Sequence, residues 1–284
     1  MNPLVSVVLS SYNYENYVAD AIRSVFNQTY PHLELVVVDD GSRDNSREVI
    51  EETLRESNLP SRMIFKENGG QSSAFNTALE HLNGELVAFI DSDDQWNLNK
   101  LEAMVRLFET CPDGGVYQHQ VEVGFGGANR LEYIISGDVF RGWEQIGELN
   151  LAVYQGRISP FVPTVGLMFR KEILEKVFPI PKEVITCPDA YLTRTSVAFG
   201  PLYSHPAVLA TWRDHEENAG KENTYGYHEY WLPVIMPALN RFYREHGFNV
   251  EFYYEAPVEE PVESIVGETE SPGIFTRLFS LGRK

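Results

Sequence analysis

Glu34-Leu35-Val36-Val37-Val38-Asp39-Asp40-Gly41-Ser42 is the stretch that decides the fold. From Leu33 the chain is apolar at almost every position and then stops at two carboxylates and a turn. A strand apolar along its length has both faces covered, which is the condition of a parallel sheet flanked by helices. Upstream, Leu4 to Ser10 predicts a first strand that gives way to Ser10-Ser11-Tyr12-Asn13. Between the two, Tyr17 to Gln28 places Val18, Ile22, Val25 and Phe26 at helical spacing, and Pro31 closes the unit. Downstream, Asp44 to Arg55 reads as a helix with Asn45 or Ser42 as its cap. Arg62 to Phe65 reads as a third strand, Ser72 to Leu82 as a helix, and Leu86 to Ile90 as a fourth strand ending in Asp91-Ser92-Asp93-Asp94. Helix resumes near Leu98. Strands alternating with helices in this way predict an α/β fold with a mostly parallel, Rossmann-like sheet.

After Cys111 the rhythm changes. Gly114-Gly115 and Gly124 to Gly127 predict a bent strand and a hairpin, Val165 to Phe169 a strand, and Lys171 to Val177 and Ala190 to Ala198 helices. Tyr225 to His246 reads as an aromatic-rich helical stretch interrupted at Pro233 and Pro237. From Glu255 the chain is acidic and proline-bearing, as in a linker. The amphipathic segment from Gly273 to Leu281 is suited to docking on the domain itself, a partner or a bilayer surface, so residues 272–284 are a candidate docking tail. These shifts divide the chain into 1–220, with halves 1–110 and 111–220, a helical extension at 221–254, and a linker and tail at 255–284.

Charge narrows the function. The 284 residues carry 23 Lys and Arg against 41 Asp and Glu, a formal charge of −18. That field repels phosphate backbones, which argues against nucleic-acid binding and requires local help for any nucleotide ligand. The N-terminus has no basic leader, no run of some 18 apolar residues offers a membrane span, and Cys111 and Cys187 make no disulfide framework. The expectation is a cytoplasmic protein, at most peripheral at the inner membrane face.

Ligands of open parallel sheets sit beyond the carboxyl ends of the strands. Ser10-Ser11-Tyr12-Asn13, Asp39-Asp40-Gly41-Ser42 and Asp91-Ser92-Asp93-Asp94 all fall there. An aromatic ring and a carboxylate at neighbouring strand ends suit a nucleobase, the ring stacking and the acid accepting from an imide N–H. Asp91 and Asp93 are close enough to repel, and a divalent cation with hard oxygen ligands, Mg²⁺ or Mn²⁺, resolves that conflict and neutralises a diphosphate. A plain Asp-Gly-Ser turn and a solvated acidic loop are the alternatives for single copies of these motifs.

Taken in order, Val5 to Asn13, Ser24 to Tyr30, Glu34 to Ser42, Glu67-Asn68-Gly69-Gly70 and Phe89 to Asp94 resemble glycosyltransferase family 2, collinearly over about the first 110 residues. The resemblance implies a GT-A fold, an inverting mechanism and a metal-bound nucleotide diphosphate sugar, first of all a UDP-sugar, with a glycan or glycoconjugate acceptor from cell-surface polysaccharide synthesis. By position it implies donor contacts from Ser10, Tyr12, Asn13, Asp40, Asn68, Gly70, Asp91 and Ser92, with Asp93 as metal ligand. Pro188-Asp189 is similar to the acidic pair that ends in the catalytic base, which would make Asp189 the base, although Pro188 replaces the first acid and an N-cap role fits Asp189 equally. Arg213-Asp214-His215-Glu216-Glu217-Asn218 resembles the family's Arg-x-His-x-x-Asn segment, which implies His215 as a second metal ligand and Arg213 as a diphosphate partner. Phe75 stands where many relatives carry an arginine, and the Gln-x-x-Arg-Trp element of processive synthases is absent, which favours single additions. Two rivals remain at this level: a nucleotide-sugar-binding module without turnover, and a sugar nucleotidyltransferase, which would normally show a Gly-rich basic loop after strand one.

Overall fold

The computed structural model describes residues 2–125, 128–135, 161–216, 218, 227–248, 250–254 and 274–278. The apolar runs become the parallel part of one sheet: β1 (Val5–Ser11), β2 (Leu33–Asp39), β3 (Ser61–Phe65) and β4 (Leu86–Asp91), in spatial order β3-β2-β1-β4. Helices α1 (Val18–Phe26), α2 (Ser46–Leu54) and α3 (Gln71–Leu79) make the crossovers. The chain winds outward from β1 to β3, and α3 then returns it to the other side of β1. The crevice at that reversal is where such sheets bind ligands.

Past β4 come the two-residue β5 (Gln95–Trp96), α4 (Lys100–Thr110), β6 (Val116–Phe125), β7 (Ala128–Ile135), β8 (Leu167–Arg170), α5 (Lys171–Val177), α6 (Pro188–Ser196) and the long β9 (Leu202–Asp214). These strands continue the sheet as β4-β8-β6-β9-β5, with β7 beside β6. β8 runs antiparallel to β4 and β6, whereas β9 is parallel to β6. The expected hairpin is thus β6 with β7, and the mixed half joins the parallel half through β8. The parallel and mixed parts of the sheet share one apolar core, in which Phe75 stacks on Phe89 at 4.5 Å and Phe89 meets Phe169 edge-on at 5.8 Å.

One expectation needs correction and two are made specific. Neither Asn45 nor Ser42 caps α2 through its side chain; Asp44 Oδ1 accepts from the Ser46 N–H instead, because the loop leads with Asp44. The aromatic-rich stretch expected to be interrupted at its prolines is, among the described residues, a π-helical segment, Tyr227–Ile235, followed by α7 (Met236–Glu245), with Pro233 inside the former and Pro237 in the first turn of the latter, where a missing N–H costs nothing. Within the candidate docking tail, β11 (Ile274–Leu278) pairs antiparallel with β10 (Val250–Tyr254) of the same chain, one of the options read from the sequence. The linker beginning at Glu255 and much of the stretch from Gly124 to Ile185 lie outside the described residues. Among the described residues no helix is long and apolar enough to cross a membrane.

Phe75 is 1% exposed, so the side chain at the position where arginine was expected is a core residue. Phe75→Ala is expected to lower the unfolding free energy by about 3–5 kcal/mol. Urea denaturation settles it, and a loss below about 1 kcal/mol would exclude this stack from the core.

Candidate active site at the carboxyl edge of the sheet

Strand register brings the predicted clusters to one level. Ser10 lies opposite Val38 on one side and Asp91 on the other, and Ser11 lies opposite Asp39. The loops that leave these ends are bonded to each other. Asp39 Oδ1 accepts from the N–H groups of Gly41 and Ser42 at 3.1 and 3.0 Å, which folds the Asp-Asp-Gly-Ser turn. Ser42 Oγ accepts from the Asn13 N–H at 3.0 Å, and Asn13 Oδ1 accepts from the Arg43 N–H at 2.7 Å. Tyr12 stands at the rim, 38% exposed, as a ring available for stacking.

Asp40 departs from its expected state. Its carboxylate accepts from Lys66 Nζ at 2.5 Å, from the Gly69 N–H at 3.1 Å and from the Gly70 N–H at 2.7 Å, while Asn68 Nδ2 donates to its carbonyl at 3.0 Å. Sequence reasoning treated it as a free acceptor for a base; in the structure it already holds the Asn68–Gly70 loop. It can serve a base only by sharing its remaining lone pairs. Gly70 is required here: its φ is +86°, and a Cβ would stand 2.4 Å from Ile185 Cγ2 and 2.5 Å from the Ile185 carbonyl oxygen.

The acidic loop is the densest part of the site. Asp91 accepts from Gln71 Nε2 at 2.6 Å. Asp93, buried, has its Oδ2 3.2 Å from both His215 Nε2 and Asn218 Nδ2, and the Tyr14 hydroxyl bonds to the same carboxylate. Asp94 Oδ1 accepts from the Arg213 N–H at 3.0 Å. Ser92 is buried. Residues 213–218 arrive because β5, just past the acidic loop, pairs with β9, setting Gln95 opposite Thr211 and Trp96 opposite Ala210. His215 is therefore a buried site residue, its ring stacked on Tyr17 at 4.3 Å. Arg213, expected to face a diphosphate, is committed elsewhere: Nε bonds to the Asp93 carbonyl, and the other guanidinium nitrogens reach Asp20 and the Tyr17 carbonyl at 3.3 Å each. Tyr14, Tyr17, Gln71 and Asn218 were not singled out from the sequence; Asn218 had a signal, as the last residue of the Arg-x-His-x-x-Asn segment.

Burial, then the charges of Asp93 and Asp189, hold the Asp91 carboxyl well above the usual carboxylate range. Asp94 is raised in the same way by burial and then by Asp93 and Asp91, against the pull of Arg213. Asp189 belongs to this cluster because its charge reaches Asp91. It lies in the first turn of α6, after Pro188, with Cys187 in the N-cap position, so it is not the N-cap considered from the sequence. Burial raises its carboxyl too, partly offset by the backbone N–H of Ala190 and by Arg194.

Among the described residues no three His, Cys, Asp or Glu side chains converge on one metal-sized point. The donor set nonetheless fits a divalent cation of the Mg²⁺ or Mn²⁺ kind. Such ions take one or two protein ligands and complete their shell with water and phosphate oxygens. Asp93 and His215 are adjacent, and among the described residues buried Asp94 Oδ2 and His215 Nδ1 have no hydrogen-bond partner, as expected where a cation is part of the charge balance.

Residues 6–178 match the family model described as Glycosyl transferase family 2. The chain is 36% identical over 216 residues to an uncharacterized glycosyltransferase of Nostoc sp., an alignment covering 75% of this chain and 66% of that one. It is 42% identical over 105 residues, 37% of this chain, both to the putative teichuronic acid biosynthesis glycosyltransferase TuaG of Bacillus subtilis and to the UDP-Glc:alpha-D-GlcNAc-diphosphoundecaprenol beta-1,3-glucosyltransferase WfgD of Escherichia coli, covering 42% and 40% of those proteins. The chain thus spans less than two thirds of these relatives' lengths. In fold it is similar to S. aureus TarS in complex with UDP-GlcNAc, with a TM-score of 0.60 at 20% identity over 84% of this chain and 66% of that one. It is similar also to the mannosyltransferase PcManGT of Pyrobaculum calidifontis in complex with GDP-Man and Mn2+, with a TM-score of 0.59 at 22% identity over 77% of this chain and 59% of that one. Both likenesses are to GT-A folds.

The Lys66–Asp40 pair is mostly buried, its side chains 18% and 4% exposed. Asp40→Ala leaves the ammonium unpaired and frees two loop N–H groups, so it is expected to cost about 3 kcal/mol of stability without any ligand. Urea denaturation of the ligand-free protein measures this, and an unchanged midpoint would restrict Asp40 to a ligand-binding role.

Proposed function

Because the chain belongs to glycosyltransferase family 2, we propose that it is an inverting glycosyltransferase that moves a sugar from a nucleotide diphosphate, first of all UDP, to a hydroxyl of a glycan or glycoconjugate acceptor. The observation that carries this reading is the meeting of Asp91, Asp93, His215 and Asp189 at the carboxyl end of β4. The named substrates and pathways of TuaG and WfgD support a role in surface polysaccharide synthesis. An acceptor on a polyprenyl diphosphate, as the name of the E. coli relative describes, would bring the enzyme to the inner membrane face.

In this reading Tyr12 and the Ser10 and Asn13 loop receive the nucleoside, with Asn68 and Gly70 behind it and Asp91 and Ser92 toward the sugar. Asp93 and His215 would hold a Mn²⁺ or Mg²⁺ ion, whose chemistry is to neutralise charge on the leaving diphosphate. Arg213 acts indirectly, fixing the backbone of Asp93 and Asp94. Asp189 takes the proton of the acceptor hydroxyl as its oxygen bonds to the anomeric carbon, while the bond from that carbon to the diphosphate oxygen breaks on the opposite face; the configuration inverts. A carboxylate whose pKa is lifted by burial is the stronger base for this step.

Asp189→Asn is expected to lower transfer, or hydrolysis of the donor, by about 10²–10⁴-fold while donor affinity changes less than about twofold. Retained turnover in steady-state assays would reject Asp189 as base. Since the base works deprotonated and its pKa is raised, kcat/KM should fall as pH drops through a value above the ordinary carboxylate pKa of about 4. A pH–rate profile without that limb contradicts the assignment. Asp93→Ala is expected to abolish the Mn²⁺-dependent part of UDP binding by calorimetry, and equal affinity with and without Mn²⁺ in both proteins would refute a metal at Asp93.

A further inference from the structure

The segment 221–254, expected from the sequence to be an extension, reaches into the active-site loop through Tyr230. Tyr230 is 6% exposed, and its hydroxyl makes two hydrogen bonds to one residue of the loop that precedes Asp189: it accepts from the Thr186 N–H at 3.1 Å and donates to the Thr186 carbonyl at 3.0 Å. Holding both backbone groups of one residue fixes the orientation of the peptide planes on either side of it. The next residue, Cys187, has φ +52° and ψ +49°, a left-handed conformation that a non-glycine side chain adopts only against steric strain. Pro188 then opens α6 and Asp189 follows in its first turn.

The other side of the loop is held by the donor half. The Ile185 carbonyl accepts from the Ser72 N–H at 3.3 Å, and Ile185 lies against Gly70, whose N–H is held by Asp40. The same C-terminal segment supports α6 farther along, since the Tyr243 hydroxyl donates to the Arg194 carbonyl at 2.5 Å and Arg241 pairs with Glu183.

We propose that Tyr230 is a positioning residue for Asp189: its two bonds to Thr186 maintain the left-handed turn at Cys187 and so aim the carboxylate at the acceptor. The C-terminal segment is on this account part of the catalytic unit. The inference rests on the reading of Asp189 as the base.

The test compares Tyr230→Phe, Asp189→Asn and Tyr230→Phe/Cys187→Gly with the parent chain. Glycine takes positive φ without penalty, so the second substitution lowers the cost of the turn that the lost hydroxyl no longer maintains. Amide hydrogen exchange, which needs no ligand, should be at least tenfold faster at Thr186 to Asp189 in Tyr230→Phe and unchanged in β1 and β4. UDP-GlcNAc, UDP-Glc and GDP-Man with Mn²⁺ are the probes of hydrolysis. On whichever is turned over, kcat should fall about 10–100-fold with the donor KM within twofold, and Cys187→Gly should restore at least part of it. Unchanged exchange in the loop overturns the proposal, as does a parallel loss of kcat, donor affinity and melting temperature that Cys187→Gly does not relieve. If Asp189→Asn is inactive while Tyr230→Phe turns over normally, the positioning role fails and the base assignment stands. If Asp189→Asn turns over normally, the base assignment fails, and with it the proposal.

Discussion

Like charge held in a small space is the constraint on which the site depends. Asp91, Asp93, Asp94 and Asp189 crowd the carboxyl end of β4, and Asp91 and Asp94 respond by holding their protons well above the usual range. Two unit charges about 6 Å apart cost about 3 kcal/mol at an effective dielectric constant near 20, so several carboxylates cannot stay ionised there unaided. The chain supplies compensation from distant positions: the Arg213 N–H on Asp94 and its guanidinium on the Asp93 carbonyl, Asn218 and His215 on the Asp93 carboxylate, Gln71 on Asp91, and the first turn of α6 under Asp189. A helix N-terminus carries partial positive charge and favours an anion, so the placement of Asp189 is itself part of the balance. In the proposed function a divalent cation would supply the positive charge still lacking.

This explains the length and course of β9. A strand of 13 residues is long for a globular sheet, and this one runs along β6 before its far end pairs with β5. β5 has only two residues, yet it sets where Arg213 and His215 stand against Asp93 and Asp94. Antiparallel pairing over so short an element fixes register because Asn97 adds bonds of its own, from its N–H to the Leu209 carbonyl and from Nδ2 to the Val208 carbonyl.

How much of this could be read from the sequence follows from the range of each interaction. β1, β2 and β4 were legible almost residue by residue, since their apolar runs are the direct signature of a doubly covered sheet, and the acidic ends of β2 and β4 mark the ligand edge. The Asp93–His215 contact was legible only through family resemblance, because 122 residues separate the two and no periodicity spans that distance. The structural bonds of Asp40 were not legible for a different reason. A carboxylate at a strand end looks like a free acceptor until the loop from Asn68 to Gly70 is seen folded onto it, and that closure is encoded in a positive-φ glycine and Lys66, neither of which names its partner. Tyr230 gave no sign at all, as one aromatic among several in a proline-interrupted stretch.

The arrangement also explains why the two halves are not independent. Asp40 fixes Gly70, Gly70 carries Ile185, and Ile185 leads within four residues to Asp189, so the Asn68–Gly70 loop and the loop that leads to Asp189 are adjacent layers of one packing. A side chain at position 70 would displace both. Gly70 therefore has two separate demands on it, a backbone with positive φ and room for a neighbouring loop, and either alone would select glycine. Conformational strain at Cys187 is affordable because rigid partners on both sides, Ser72 on one and Tyr230 on the other, leave the loop no relaxed alternative nearby. On the proposed reading of Asp189 as the base, a carboxylate held in this way would lose little entropy when an acceptor arrives, which is how positioning lowers the barrier of a two-substrate reaction.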